Sequence, residues 1–196
     1  MIQLSPIPET LTWHLEPLEW NITNEVLTAT AGAKTDLFVD PLSTNKSLNA
    51  SMLTFENNQD FMLSSRVTVD FQGTFDAGVL VVYQHETSWA KLCFEYSPNK
   101  DPMVVSVVTK GTSDDCNSVF IDGNTVFLRV SRINTGFAFH FSNDALHWHM
   151  IRAFALEPGA AKVGFLVQAP IGESCTATFS EIAFQLETLS DIRSGL

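Results

Sequence analysis

The stretch FDAGVLVVYQHETSWAKLCFEY, Phe75 to Tyr96, holds two apolar runs, Gly78–His85 and Trp89–Tyr96, joined by the polar break Glu86-Thr87-Ser88. Two such runs around a short turn-prone break predict an antiparallel β-hairpin. In the second run Trp89, Lys91, Cys93 and Glu95 alternate with Ala90, Leu92, Phe94 and Tyr96, and strand side chains alternate between faces. One face is therefore apolar and packs on a core. The other carries a lysine, a glutamate and a tryptophan, which predicts a sheet with one face left open.

The same pattern extends in both directions. Upstream, Leu11–Leu15, Trp20–Thr23, Glu25–Ala31, Asp36–Val39, Ser51–Phe55 and Phe61–Phe71 read as strands, with Ser43–Ser51 as the longest loop. Pro6 and Pro8 mark an irregular start. Downstream, Pro102–Lys110, Thr125–Arg132, Gly136–Ser142, His147–Phe154, Lys162–Ala169 and Thr176–Leu186 continue the series, and Gly111–Ser118 reads as a polar loop. Thr188–Leu196 has room for a helical turn. No stretch sustains helical periodicity, so the expectation is all-β: a two-sheet antiparallel β-sandwich with little helix, formed by residues 1–196 as one domain.

Composition narrows the function classes. The 196 residues are 45% hydrophobic and 17% charged, with 15 phenylalanines and a formal net charge of −11. A scattered acidic surface excludes nucleic acid and anionic membrane as expected partners, because both require clustered basic residues. No run reaches membrane-span length, and Met1–Thr10 lacks the basic and apolar regions of a secretory leader. Cys93, Cys116 and Cys175 fit no disulfide framework or metal pattern. The expectation is a reduced, cytoplasmic protein, in which Asn21, Asn45 and Asn49 of the Asn-x-Ser/Thr triplets stay unmodified.

Candidate chemistry is sparse. A retaining glycosidase needs two carboxylates about 5 Å apart, and none of the 22 acids forms such a pair on one strand. Glu16/Glu19, Asp36/Asp40 and Glu56/Asp60 fall at turns, loops or strand ends. A catalytic pair would have to come from different strands, with Glu95 its first member. Trp89, Lys91 and Glu95 could form a site in which the indole stacks on a sugar and the polar groups bond its hydroxyls; a cross-strand ion pair beside a half-buried indole explains them equally well. Arg129 and His140 are out of phase with the apolar residues of their strands. With Tyr83, His85 and Ser106, they are expected to line one face together with Lys91 and Glu95. His147 and His149 lack a third metal ligand, as does the pair Asp114-Asp115, so no metal and no cofactor is expected.

A series of short motifs runs along the chain: Asp76-Ala77-Gly78-Val79-Leu80, Trp89-x-Lys91-x-x-x-Glu95, and Val107-Val108-Thr109 followed by Ser113-Asp114. It continues with Leu128-Arg129-Val130-x-Arg132, Ser142-x-Asp144-x-x-x-Trp148, and Val163-Gly164-Phe165 with Ala169-Pro170. In order and spacing these motifs resemble the fungal regulation-of-enolase family, and weaker similarity reaches Lys34-Thr35-Asp36-Leu37-Phe38 and Trp13. The chain departs from the pattern at Asp115-Cys116, where a tryptophan is usual, and at His85, where an acid is usual.

The resemblance implies a concanavalin A-like jelly roll and a cytoplasmic regulatory role linked to enolase and galactose metabolism. The leading expectation is thus a non-enzymatic protein binding a sugar, a small metabolite or a protein partner. The alternatives are a glycoside hydrolase-like enzyme using Glu95, and a protein-interaction module without a small-molecule site.

Overall fold

A computed structural model describes residues 2–196. Its strands begin with β1 (Ile2–Leu4), β2 (Ile7–His14), β3 (Glu19–Thr23), β4 (Val26–Gly32), β5 (Leu37–Val39) and β6 (Lys46–Leu48). Next come β7 (Ser51–Glu56), β8 (Phe61–Asp70), β9 (Ala77–His85), β10 (Ser88–Tyr96), β11 (Pro102–Lys110) and β12 (Thr112–Phe120). The series closes with β13 (Thr125–Ile133), β14 (Gly136–Ser142), β15 (His149–Ala155), β16 (Lys162–Gln168) and β17 (Ser174–Gln185). No helix occurs among the described residues.

The strands form two large antiparallel sheets in a jelly-roll-like sandwich. The first has eight strands in the order β1-β2-β7-β16-β9-β10-β11-β12, and the second seven in the order β15-β14-β13-β8-β17-β4-β3. The predicted hairpin is β9–β10, registered so that Lys91 faces Val81 and Cys93 faces Val79. Its apolar face supplies Leu80, Val82, Ala90, Leu92 and Phe94 to the core between the sheets. Leu63, Val67, Val126, Leu128, Phe139 and Phe179 meet them from the opposite sheet. Phe165 of β16 and Phe179 of β17 stand 5.0 Å apart across the core. Each such side chain contributes about 1.5–3 kcal/mol through apolar burial.

Two expectations are corrected. Residues 112–120 are not a loop but the edge strand β12, paired with β11 from Lys110↔Thr112 to Met103↔Phe120. An edge strand with little apolar cover needs no hydrophobic alternation, so its polar composition resembled a loop. The outer face of the first sheet is also not open. The short hairpin β5–β6 lies over it, and Leu37, Phe38, Val39, Leu48 and Ala50 build a second apolar cluster with Val79, Val81, Trp89, Cys93 and Leu166.

The strands latest in the chain occupy central places. β16 sits between β7 and β9, while β17 sits between β4 and β8. Gly164 of β16 is opposite Thr54 of β7, and a Cβ there would run into the Leu53 carbonyl oxygen. Backbone cannot yield as a flexible side chain can. Gly164→Ala should therefore destabilise the fold by about 3 kcal/mol, as overpacking does at its upper range, measured as a lowered midpoint of urea unfolding.

Candidate functional site

Lys91 and Glu95 lie four residues apart on β10, hence on the same face of the strand. Their row extends across the sheet, since Lys91 faces Val107 of β11 and Val107 faces Asp115 of β12. The segment carrying β5 closes over this floor. Its Val39 N–H donates to Ser113 Oγ at 2.9 Å, and its base is tied by Asn49, whose Oδ1 accepts from the Asp36 N–H at 3.0 Å. Asp36 and Phe38 thereby face Lys91 from above. Phe75, at the start of the β9 hairpin, and Gln168 of β16 complete a cleft of about 120 Å³ lined also by Glu95, Val107 and Asp115. It adjoins a wider groove of about 580 Å³, which shares Asp36, Phe38 and Phe75 and reaches Asp40, Ser47 and Ile171.

Lys91 is only 2% exposed. Its Nζ donates to Asp36 Oδ1 at 3.1 Å and to Gln168 Oε1 at 2.9 Å. An ammonium has three N–H donors, so one is left for whatever enters the cleft. Burial alone would push the lysine pKa down. The Asp36 charge and the hydrogen bond it accepts act against burial, and the balance lies above the ordinary value, so Lys91 stays charged.

Glu95 behaves in the opposite way. Burial pushes its carboxyl up to about 8, against a smaller lowering by Lys91 and small raising contributions from Asp115 and Asp36. Near neutrality it is mainly a neutral acid, able both to donate and to accept a hydrogen bond. Asp115 is likewise raised, first by burial. The Gln168 amide donates to the Phe75 carbonyl at 3.1 Å. It thereby links the lysine to a phenylalanine held at φ 68°, a conformation rare for a bulky side chain.

The residues singled out from sequence are dispersed. Lys91 and Glu95 share the cleft. Tyr83 and Trp89 pair on the same face, but Trp89 is fully buried in the second apolar cluster, and Tyr83 leans towards His14 with ring centroids 5.8 Å apart. His85 sits exposed at the hairpin turn, its Nε2 3.3 Å from Glu157 Oε2.

Three residues are not on this face, contrary to expectation. Ser106 faces Leu92, a core residue, and so points between the sheets. Arg129 and His140 are cross-strand neighbours, as expected, but in the second sheet. Phase within a strand cannot say which sheet the strand joins. The cleft residues that sequence reading missed are Asp36, Phe38, Phe75, Asp115 and Gln168. Asp36 and Phe38 were within a recognised motif, yet nothing local indicated that they fold over Lys91.

A family profile described as "Protein of unknown function (DUF1349)" matches residues 13–186. No curated protein sequence matches the chain. A Saccharomyces cerevisiae protein described as functionally unknown superposes with TM-score 0.83 at 22% identity, covering 89% of this chain and 95% of that one. A mutant of the GH43 protein BlXynB from Bacillus licheniformis gives TM-score 0.69 at 14% identity over 89% of this chain, but only 36% of the larger protein. The carbohydrate-binding module CBM66 from Bacillus subtilis gives TM-score 0.55 at 14% identity, covering 88% and 94% of the two chains. At these identities the likeness shows the fold, and its structural neighbours include carbohydrate-related proteins.

Two outcomes follow from the buried charges. Removing the anion in Asp36→Ala strands the Lys91 ammonium and should cost about 3 kcal/mol in chemical denaturation, the lower range for breaking a buried pair. Glu95 has a folded pKa of about 8 against an unfolded value of 4.5, so between them the native state holds the extra proton. Its contribution is complete below the unfolded value and is lost as pH rises through the folded one. Glu95→Gln should remove this slope and gain about 1–2 kcal/mol over the parent protein above pH 8, allowing for partial exposure at the cleft. Parallel unfolding curves at acid and alkaline pH would refute the assignment.

Proposed function

Since the chain belongs to the DUF1349 family, whose description assigns no activity, we propose from the site itself that the cleft at Lys91 binds a small polyhydroxylated ligand, a single sugar or sugar-derived metabolite, without cleaving it. The observation that carries this is the pairing of donors and acceptors on the cleft floor. Lys91 keeps one N–H free of Asp36 and Gln168. Glu95, held neutral by burial, matches the dual character of a hydroxyl group. Phe38 and Phe75 line both the cleft and its adjoining groove, giving apolar surface against which a sugar ring packs. The cleft, about 120 Å³, is smaller than the roughly 300–1,000 Å³ of drug-sized sites, which favours one ring over a polysaccharide chain. The cytoplasmic role in carbohydrate metabolism implied by the regulation-of-enolase resemblance belongs to the same proposal, with ligand occupancy passed to a protein partner.

A second reading has one observation in its favour. A carboxyl raised to about 8 beside an aspartate paired with lysine is how two acids are driven apart into general-acid and base roles. The two readings separate in one experiment. Calorimetric titration with neutral mono- and disaccharides should give saturable binding, weakened about tenfold or more in Lys91→Met, which removes a charge-assisted hydrogen bond. Asp36 is partly exposed in its own right and remains solvated in that variant, and thermal unfolding verifies its fold. No binding by the parent protein across the panel sinks the ligand reading; turnover of a glycoside that Glu95→Gln abolishes replaces it with the enzymatic one.

A further inference from the structure

The outer face of the second sheet holds a buried cation that has no counter-ion among the described residues. Arg129 is 7% exposed and stands in register between Ser64 of β8 and His140 of β14. Residues 188–196 run across it as an irregular strap. Thr188 Oγ1 donates to the Arg132 carbonyl at 3.0 Å, the Ile192 carbonyl meets His140 Nε2 at 2.7 Å, and the Gly195 carbonyl accepts from Arg129 Nη2 at 2.8 Å. The guanidinium lies 4.2 Å from the Trp148 ring centroid.

Those contacts leave the charge unanswered. Among the described residues no carboxylate forms an ion pair with Arg129, although the chain carries 22 acids. Its Nε has no hydrogen-bond partner. A buried guanidinium is normally paired or fully bonded. Here desolvation draws its pKa down to about 10. His140 supplies no competing charge, because burial, and less strongly Arg129, keep it neutral with a pKa of about 4. Beside the guanidinium is a cavity of about 170 Å³, lined by Ser64, Arg129, Trp148 and Gln185 together with the apolar parts of Met62 and Ala183. An arginine serving only to anchor the strap explains the Gly195 bond and the stacking on Trp148. It does not explain the bare Nε or the hollow at its side.

We propose that this cavity is an oxyanion site, taking the phosphate or carboxylate group of a small molecule. Arg129 supplies the charge, Ser64 and Gln185 supply further donors, and Trp148 forms the wall. The site is on the opposite sheet from the Lys91 cleft and does not depend on the role proposed there. Because Gly195 already shares the guanidinium, an anion bound here also bears on how the strap is held.

The test uses the full chain, labelled with nitrogen-15, titrated separately with inorganic phosphate and with acetate at ionic strength held constant with chloride. The expected result is a saturable shift of the Trp148 indole resonance, whose N–H now bonds the Ala145 carbonyl at 3.1 Å; whichever anion saturates identifies the group recognised. Arg129→Gln should weaken binding about tenfold or more, as loss of a charge-assisted contact does. Should that variant fail to fold, Ser64→Ala at a partly exposed strand position must raise the midpoint instead. The site is refuted if neither anion gives a saturable shift, if Arg129→Gln titrates like the parent, or if, with Arg129→Gln unfolded, Ser64→Ala leaves the midpoint unchanged.

Discussion

The Lys91–Asp36 ion pair governs the first sheet. A lysine in the middle of a strand, shut away from water, costs several kcal/mol if left charged without an anion. The anion comes from a segment that otherwise has little to hold it: Leu37–Val39 and Lys46–Leu48 pair only with each other as a two-stranded unit. Such a hairpin is marginal in isolation. Apolar contacts of Leu37 and Leu48, the Val39–Ser113 bond and the charge on Asp36 dock it together. The cleft is the space left over where this cover meets the sheet. The raised pKa of Glu95 follows from the same closure, since an exposed face would have left that carboxylate hydrated and ionised.

What could be read in advance was everything with a period of two. The strands from Phe61 onward other than the polar edge strand β12, the hairpin, and the shared phase of Trp89, Lys91 and Glu95 follow from alternation, which is local. The cover was not legible, because a three-residue strand such as Leu37–Val39 shows too little alternation to reveal a buried side. Ser106 illustrates a second limit. Its own strand, a near-continuous apolar run from Met103 to Val108, is buried on both faces, so phase carried no signal there and only pairing with Leu92 settles its direction. Arg129 and His140 mark a third. Their mutual pairing is a hairpin property and was foreseeable, whereas membership of the second sheet depends on β8, some sixty residues earlier.

The two outer faces reach opposite electrostatic solutions in one acidic molecule. At Lys91 a buried cation has its anion, and a neighbouring acid surrenders its charge instead. At Arg129 the cation is retained with a carbonyl and an indole for company. A jelly roll tolerates both because its stability rests on the apolar core between the sheets, leaving the outer faces to diverge. Fold likeness to carbohydrate-binding modules and glycosidase domains thus locates no chemistry by itself; the side chains above each sheet do.

The central placement of β16 and β17 dictates the order in which the molecule can assemble. Until Lys162–Gln168 arrives, β7 and β9 have no partner between them, and until Ser174–Gln185 arrives β4 and β8 stand apart. During synthesis neither sheet can close around a growing chain, so unpaired strand edges and half a core stay exposed to the last stage. Loops of this length make closure slow, and exposed edges invite association between chains. A chain interrupted before Lys162 therefore amounts to two unfinished sheets.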